Sequence, residues 1–345
     1  MFRHTLLGAS GSYNFIENIK TPGVFTAFSY LYVRNGSEYD LFASLSERNG
    51  YTIIRTDCEK GEINIIKDLE GVVYNGEYNI FDVVHLTGEE DEVFDKWFAL
   101  MNIGKPTAKV KNGYTTWYNY YSNINEKIVT DDLEALSKID ADVDIFQIDD
   151  GYQTATGDWL SIDFKKFPHG MKAEADAIHK KGMLAGLWLA PFGAQFTSNI
   201  LKTHPEWFIK DQNGKLVKCG PNWGGFCALD IEIPEVRDYI KHFFDVVLND
   251  WGFDLVKLDF LYAACQIPNH NKTRGQLMCE AMDFLRECVG DKQILGCGVP
   301  LMPHSARLTI AESVQIWISN GTVKPLLTEN LFRPKTLSET QFTAV

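Results

Sequence analysis

From residue 1 to about 100, apolar and polar positions alternate in short runs. FTAFSYLYV, YDLFASL, YTIIRTD and GEINIIKDL are separated by turn signals such as Asn-Gly and Glu-Lys-Gly. A period of two puts successive side chains on opposite faces, so residues 1–101 are expected to form an antiparallel, sandwich-like β domain. Segment 102–113, NIGKPTAKVKNG, is polar and holds Pro and Gly, as a linker does. From Tyr114 the rhythm changes. Apolar runs (YTTWYNYYS, VDIFQIDDG, MLAGLWLAPF, FCALDI, FDLVKLDFLY, QILGCGV) alternate with amphipathic stretches at about 131–140, 171–182, 234–250 and 272–289. That alternation predicts parallel βαβ units, hence an α/β fold of the (β/α)8 TIM-type barrel with about five to six strands present over residues 114–303. FCALDI also fits an excursion inside a long loop. Residues 304–345 show no further βα rhythm.

In such barrels reacting groups gather where strands end, and the polar residues cluster there: Asp149 and Asp150 after FQI, Trp188 in GLWLAP, Asp230 after CAL, and Lys257 and Asp259 after DLV. Charge at the end of an apolar strand must meet a partner or a ligand. Adjacent acids at 149 and 150 suit two sugar hydroxyls, although Asp150 also fits as the start of a turn with Gly151. Lys257 and Asp259, two apart on a strand, face the same side. A lysine there lowers the acid's pKa and keeps it ionised, as a nucleophile or as half of a structural ion pair.

The 345-residue chain has a formal charge of −13, which disfavours nucleic acid and anionic membrane surfaces as partners. A neutral small ligand fits better, and eight Trp suit sugar faces as well as they suit a core. Seven cysteines, odd in number and without a CxxC pair, indicate reduced thiols rather than disulfides or a thiolate zinc site. With no leader-like N-terminus and no spanning apolar stretch, a cytoplasmic location is expected.

WYNYY (117–121), QIDDGYQ (147–153), GDW (157–159), FPHGM, GLWLAPF (186–192), HPEW (204–207) and VKLDF (256–260) follow one another as do the motifs of the melibiase-type family 36 glycoside hydrolases. The chain resembles that family over about residues 110–303. The resemblance implies a retaining α-galactosidase acting on terminal α-D-galactosides such as raffinose-type oligosaccharides, without cofactor or metal, and homo-oligomeric in the complete family protein. Asp259 is then the nucleophile, and Asp149, Asp150, Lys257, Trp188 and Cys297 line the galactose subsite. Trp117 faces the site or the barrel core. Two departures stand out. The family commonly has Lys-Trp-Asp-x-Asn around the nucleophile, against Lys257-Leu258-Asp259-Phe260-Leu261 here. An Arg often precedes the strand that here follows Asn222-Trp223-Gly224-Gly225.

Retention also needs a second carboxyl about 5–5.5 Å from the nucleophile. The family supplies it on the strand after the one matching ILGCGVP, yet the acids of 304–345 (Glu312, Glu329, Glu339) sit in no such motif. Codons for residues 308–321, read one frame over, permit DYCRIGADMDFEW. That string is similar to the acid-bearing segment of related galactosidases, and family-like strings are permitted before it and at 335–345. The expectation is that one base was lost near codon 304, so that the tail is out-of-frame translation and the general acid/base is absent. Rival readings are an inactive fragment or sugar-binding remnant, a galactosyl transferase of the raffinose/stachyose type, and a metal-dependent barrel using Asp149, Asp150, Asp230 and Asp259 as oxygen ligands.

Overall fold

In a computed structural model, the described residues are 21–103, 112–138, 143–300, Met302, and the strands at 310–311, 315–319 and 322–326. The N-terminal portion holds β1 (Val24–Phe28), β2 (Tyr30–Asn35), β3 (Glu38–Ser44), β4 (Thr52–Asp57), β5 (Glu62–Lys67) and β6 (Val83–Glu89), followed by α1 (Glu90–Leu100). These strands form two antiparallel three-stranded sheets, ordered β1-β4-β5 and β2-β3-β6. FTAFSYLYV therefore serves two sheets. Ser29, at φ 66°, turns the chain between them, donating its N–H to Thr52 O (2.8 Å) and accepting from Ser44 N (2.7 Å). Helix α1 departs from the all-strand expectation for this region. Its Val93, Phe94 and Trp97 are buried with Tyr30, Tyr39 and Leu41, and the Trp97 indole donates to Ser44 O at 2.9 Å.

The second portion contains β7 (Gly113–Thr115), α2 (Trp117–Tyr120), α3 (Glu126–Leu136), β8 (Ile145–Ile148), α4 (Gly170–Lys180), β9 (Leu184–Leu189), β10 (Gly193–Gln195), α5 (Asn199–Thr203), β11 (Lys218–Gly220), β12 (Phe226–Ala228), α6 (Pro234–Asp245), β13 (Leu255–Leu258), α7 (Arg274–Val289), β14 (Gln293–Gly296) and β15 (Ile310–Ala311). Six strands form one parallel sheet, ordered β15-β14-β13-β9-β8-β7. This is the sheet of a partial TIM-type barrel. β8 and β13 are buried at every position, as strands covered on both faces must be. β12, from FCALDI, stands outside this sheet, between β10 and β11 in an antiparallel excursion.

Helix boundaries follow caps that periodicity alone does not show. α3 begins at Glu126, earlier than expected, because the Asn125 side chain accepts from Ile128 N at 3.0 Å. α7 starts behind a Thr273–Gln276 capping box. The expected helix over 234–250 is α6 closed by a π-turn at Val246–Asp250. The linker expected at 102–113 falls mostly on 104–111, outside the described residues. So does most of the tail apart from its short strands, of which β16 (Gln315–Ser319) and β17 (Thr322–Leu326) pair antiparallel.

The N-terminal sheets dock on the segment that follows β13. Buried Arg274 of α7 pairs with Asp68 (3.1 Å) and Glu70 (2.7 Å), and the Tyr51 hydroxyl meets Cys265 Sγ at 3.3 Å. A Cβ on Gly275 would lie 2.5 Å from Glu47 O, so α7 and the chain at Glu47–Gly50 approach backbone to backbone.

Candidate functional site

Strands β7, β8, β9, β13 and β14 all deliver polar side chains from their carboxyl ends. Register sets which ones meet: Lys257 lies beside Trp188 on β9, and Gly186 beside Gln147 on β8. Asp149, just past β8, is buried. Its Oδ2 accepts from Lys257 Nζ at 3.0 Å and from Gln147 Nε2 at 2.9 Å, and its Oδ1 accepts from Asp150 N at 2.9 Å. A buried carboxylate that receives an ammonium and two further donors is a compensated charge.

The Asp150 carboxylate is held at both oxygens. Gln153 Nε2 donates to Oδ1 at 2.6 Å, and Trp223 Nε1 donates to Oδ2 at 2.8 Å. Burial raises its pKa, against the pull of the Trp223 and Gln153 bonds. Gly151, at φ 122°, carries the chain away, and a Cβ there would lie 2.4 Å from Ser122 O. Asp150 thus opens a Gly151 turn and also presents a carboxylate among the other acids.

Asp259 follows β13. Its N–H bonds Leu189 O at 2.8 Å, extending the strand ladder to the residue that carries the acid. Oδ1 accepts from Phe260 N at 2.7 Å and Oδ2 from Trp188 Nε1 at 3.3 Å. Burial raises the Asp259 pKa, opposed in turn by Lys257, the Phe260 N–H, the Cys297 side chain and Trp188. The sequence-based expectation of a lowered pKa takes account of the lysine alone; the structure adds a desolvation that outweighs it. Cys297 sits just past β14, its N–H bonded to Leu258 O at 2.8 Å. Beyond it, Gly298 at φ 57° passes so close that a Cβ would lie 3.2 Å from Asp259 Oδ1.

Asp149, Asp150, Lys257, Trp188, Asp259 and Cys297 are therefore joined by direct bonds or through one shared neighbour. The Trp117 ring makes no described contact with them; it packs edge-on against Tyr121 with centroids 5.2 Å apart. Asp230 pairs with His270 at 2.8 Å, and among the described residues no group of three or more His, Cys, Asp or Glu could hold a metal ion. The neighbours that are not among the sequence-based candidates include Gln147, Gln153 and Trp223. The two glutamines flank the acids within QIDDGYQ, a signal visible in the sequence. Trp223 sits at φ 53° and ψ 28° before Gly224 and Gly225, and nothing in its own surroundings along the chain ties it to Asp150.

A parallel β/α sheet with carboxylates, a lysine and tryptophans at the carboxyl ends of adjacent strands defines a barrel-type site at the position where such folds bind ligands. Residues 114–284 match the family model described as Melibiase, and the chain belongs to that family. Among curated proteins it is 33% identical over 222 residues to a Flavonifractor plautii protein named A type blood alpha-D-galactosamine galactosaminidase, covering 56% of this chain and 20% of that one. It is 28% identical over 183 residues to an Escherichia coli alpha-galactosidase, covering 50% of this chain and 25% of that one. The chain thus spans a fifth to a quarter of the length of these relatives. Among solved structures, the Thermus thermophilus alpha-galactosidase TtGalA, in complex with p-nitrophenyl alpha-D-galactopyranoside, superposes with TM-score 0.66 and 29% identity, covering 81% of this chain and 54% of that one. The Geobacillus stearothermophilus enzyme AgaA, at 17% identity and TM-score 0.64, shares the fold. No helix among the described residues is long and apolar enough to cross a membrane.

Proposed function

We propose that this chain carries the sugar-binding and nucleophile-bearing part of a retaining α-galactosidase that acts on terminal α-D-galactosides. One observation carries the reading: Asp259, bonded by the Trp188 indole, shares Lys257 with the buried Asp149 of the Asp149–Asp150 pair at the carboxyl ends of β8, β9 and β13. In this scheme the Asp149 and Asp150 carboxylates and the Lys257 ammonium bind sugar hydroxyls, and Cys297 flanks the anomeric side. Asp259 attacks C1 as the glycosidic bond breaks, forming a glycosyl-enzyme. Lys257, the Phe260 N–H and the Trp188 indole stabilise the ionised form against burial. One relative, TtGalA, solved in complex with p-nitrophenyl alpha-D-galactopyranoside and with stachyose, supports this substrate class. The second carboxyl, needed to protonate the leaving oxygen and then to activate water, belongs in this reading to the strand after β14, where the shifted reading frame supplies it. We also retain the division at 102–113 into a β domain and a barrel, and a reducing, cytoplasmic setting consistent with seven cysteines that form no disulfide.

Covalent labelling tests the proposal without needing turnover. An activated fluorogalactoside is expected to leave its sugar on the peptide containing Asp259 and to leave Asp259→Asn unlabelled. A label on another residue, or equal labelling of the variant, would sink the assignment.

A further inference from the structure

The antiparallel excursion between β9 and α6 reaches back over the site and places one side chain on the acid pair. Its strands β10, β11 and β12 hold the Pro221–Gly225 turn, and β12 is buried throughout. The excursion is also tied to the segment after the nucleophile, because the Tyr262 hydroxyl donates to Cys219 O at 2.9 Å. At the turn Trp223 adopts a left-handed backbone, with Gly224 and Gly225 following at positive φ. A left-handed tryptophan is uncommon and persists where its surroundings require it. Here its ring centroid lies 5.9 Å from that of Trp188, 5.1 Å from Phe260 and 5.4 Å from Phe226, and its Nε1 donates to Asp150 Oδ2 at 2.8 Å. The ring remains partly exposed, between the acid pair and the residue after Asp259.

We propose that Trp223 is the positioning residue for Asp150: its indole N–H fixes the carboxylate so that the remaining lone pairs of the acid pair face the sugar, while its ring forms one wall of the subsite. This deepens the galactoside reading and rests on it. Among the described residues, Gln153 holds the other oxygen of Asp150, Lys166 acts at longer range, and Asp149 and Tyr152 are further titratable groups facing it, with Lys257 engaged by Asp149. Loss of the indole bond removes a donor that favours the ionised carboxylate, so Asp150 would keep its proton to higher pH.

Two measurements on the full chain separate this inference from the reading beneath it. The first needs no sugar. The Trp223 indole N–H resonance, assigned by its loss in Trp223→Phe, is expected to titrate with pH and to stop titrating in Asp150→Asn. A resonance indifferent to both overturns the contact. The second is calorimetric binding of D-galactose between about pH 4 and 8, a range spanning ordinary and raised carboxyl values. Trp223→Phe keeps a ring against Trp188 and Phe260, and it is expected to bind about tenfold more weakly, the scale of one bond to a charged group, with the acid limb displaced upward. Binding equal to wild type at every pH overturns the positioning role. A wild-type chain that binds no galactose overturns the galactoside reading instead, and the indole titration then decides Trp223 by itself.

Discussion

Asp259 is held between opposing effects: burial favours its neutral form, and Lys257 with three hydrogen-bond donors favours its anion. Because burial wins, the ionised carboxylate costs folding free energy that a neutral isostere does not. The folded-state pKa lies above the unfolded one, so the native state holds the extra proton, and stability falls as pH rises through the interval above the unfolded carboxyl value of about 3.9. Asp259→Asn is accordingly expected to be at least as stable as wild type at neutral pH, with the difference closing as pH falls below about 4. Thermal melts of both chains across pH check this. A variant destabilised by the same amount at every pH would show that the carboxylate is structurally required. At this scale much of the site is legible in the sequence. Asp149, Asp150, Lys257 and Asp259 announce themselves because a charge at the end of an apolar strand is costly until it meets a partner or a ligand. Trp188 stands at a strand end in the sequence pattern, whereas Cys297 needs the family resemblance, and the structure brings both to Asp259. Sequence leaves Trp117 open between site and core, and in the structure its ring packs on Tyr121.

Among elements, the β-rich N-terminal portion bears on the site through α7 and the turn before it. Arg274 is 8% exposed and its partner Asp68 10%, with Glu70 closing the pair from a solvated position. Removing one member of a buried ion pair strands the other, so Arg274→Met is expected to destabilise the chain by about 3–5 kcal/mol. Chemical denaturation measures this, and a change below about 1 kcal/mol would mean the pair is effectively solvated. Two periodicities predict the elements, and the places where they fall short share a cause. Periodicity hides helix α1 because EDEVFDKWFAL follows six strands and its apolar face is recognised only against Tyr30 and Leu41. The single run FTAFSYLYV becomes two strands because a period of two continues unchanged through Ser29 while the backbone switches sheets.

For the molecule as a whole, the described parallel sheet runs from β7 to β15, and each of these strands has a neighbour on one side only. Closed barrels leave no such edges, whereas open ones expose unpaired N–H and C=O groups that promote association. With the reading frame shifted as proposed, the barrel stays open, and the chain is then expected to express poorly in soluble form. A chain with the reading frame restored after codon 303 is expected to be soluble and to hydrolyse an aryl α-galactoside, and the present chain to show at most a small fraction of that rate. Equal activity of the two would remove the frame reading and with it the location assigned to the acid/base.

The order of the motifs, the strand-end acids and the change of rhythm at Tyr114 are local properties of the chain, so the sequence alone sufficed for the barrel class, the nucleophile candidate and the acid pair. Whether FCALDI joins the barrel, which nitrogen holds Asp150, and which way the Asp259 pKa moves depend on residues far apart in sequence. Trp223 and Asp150 are 73 positions apart, and Trp188 and Asp259 are 71. Desolvation and long-range register are sums over neighbours that only the packed chain supplies, and for that reason the tertiary structure decided them.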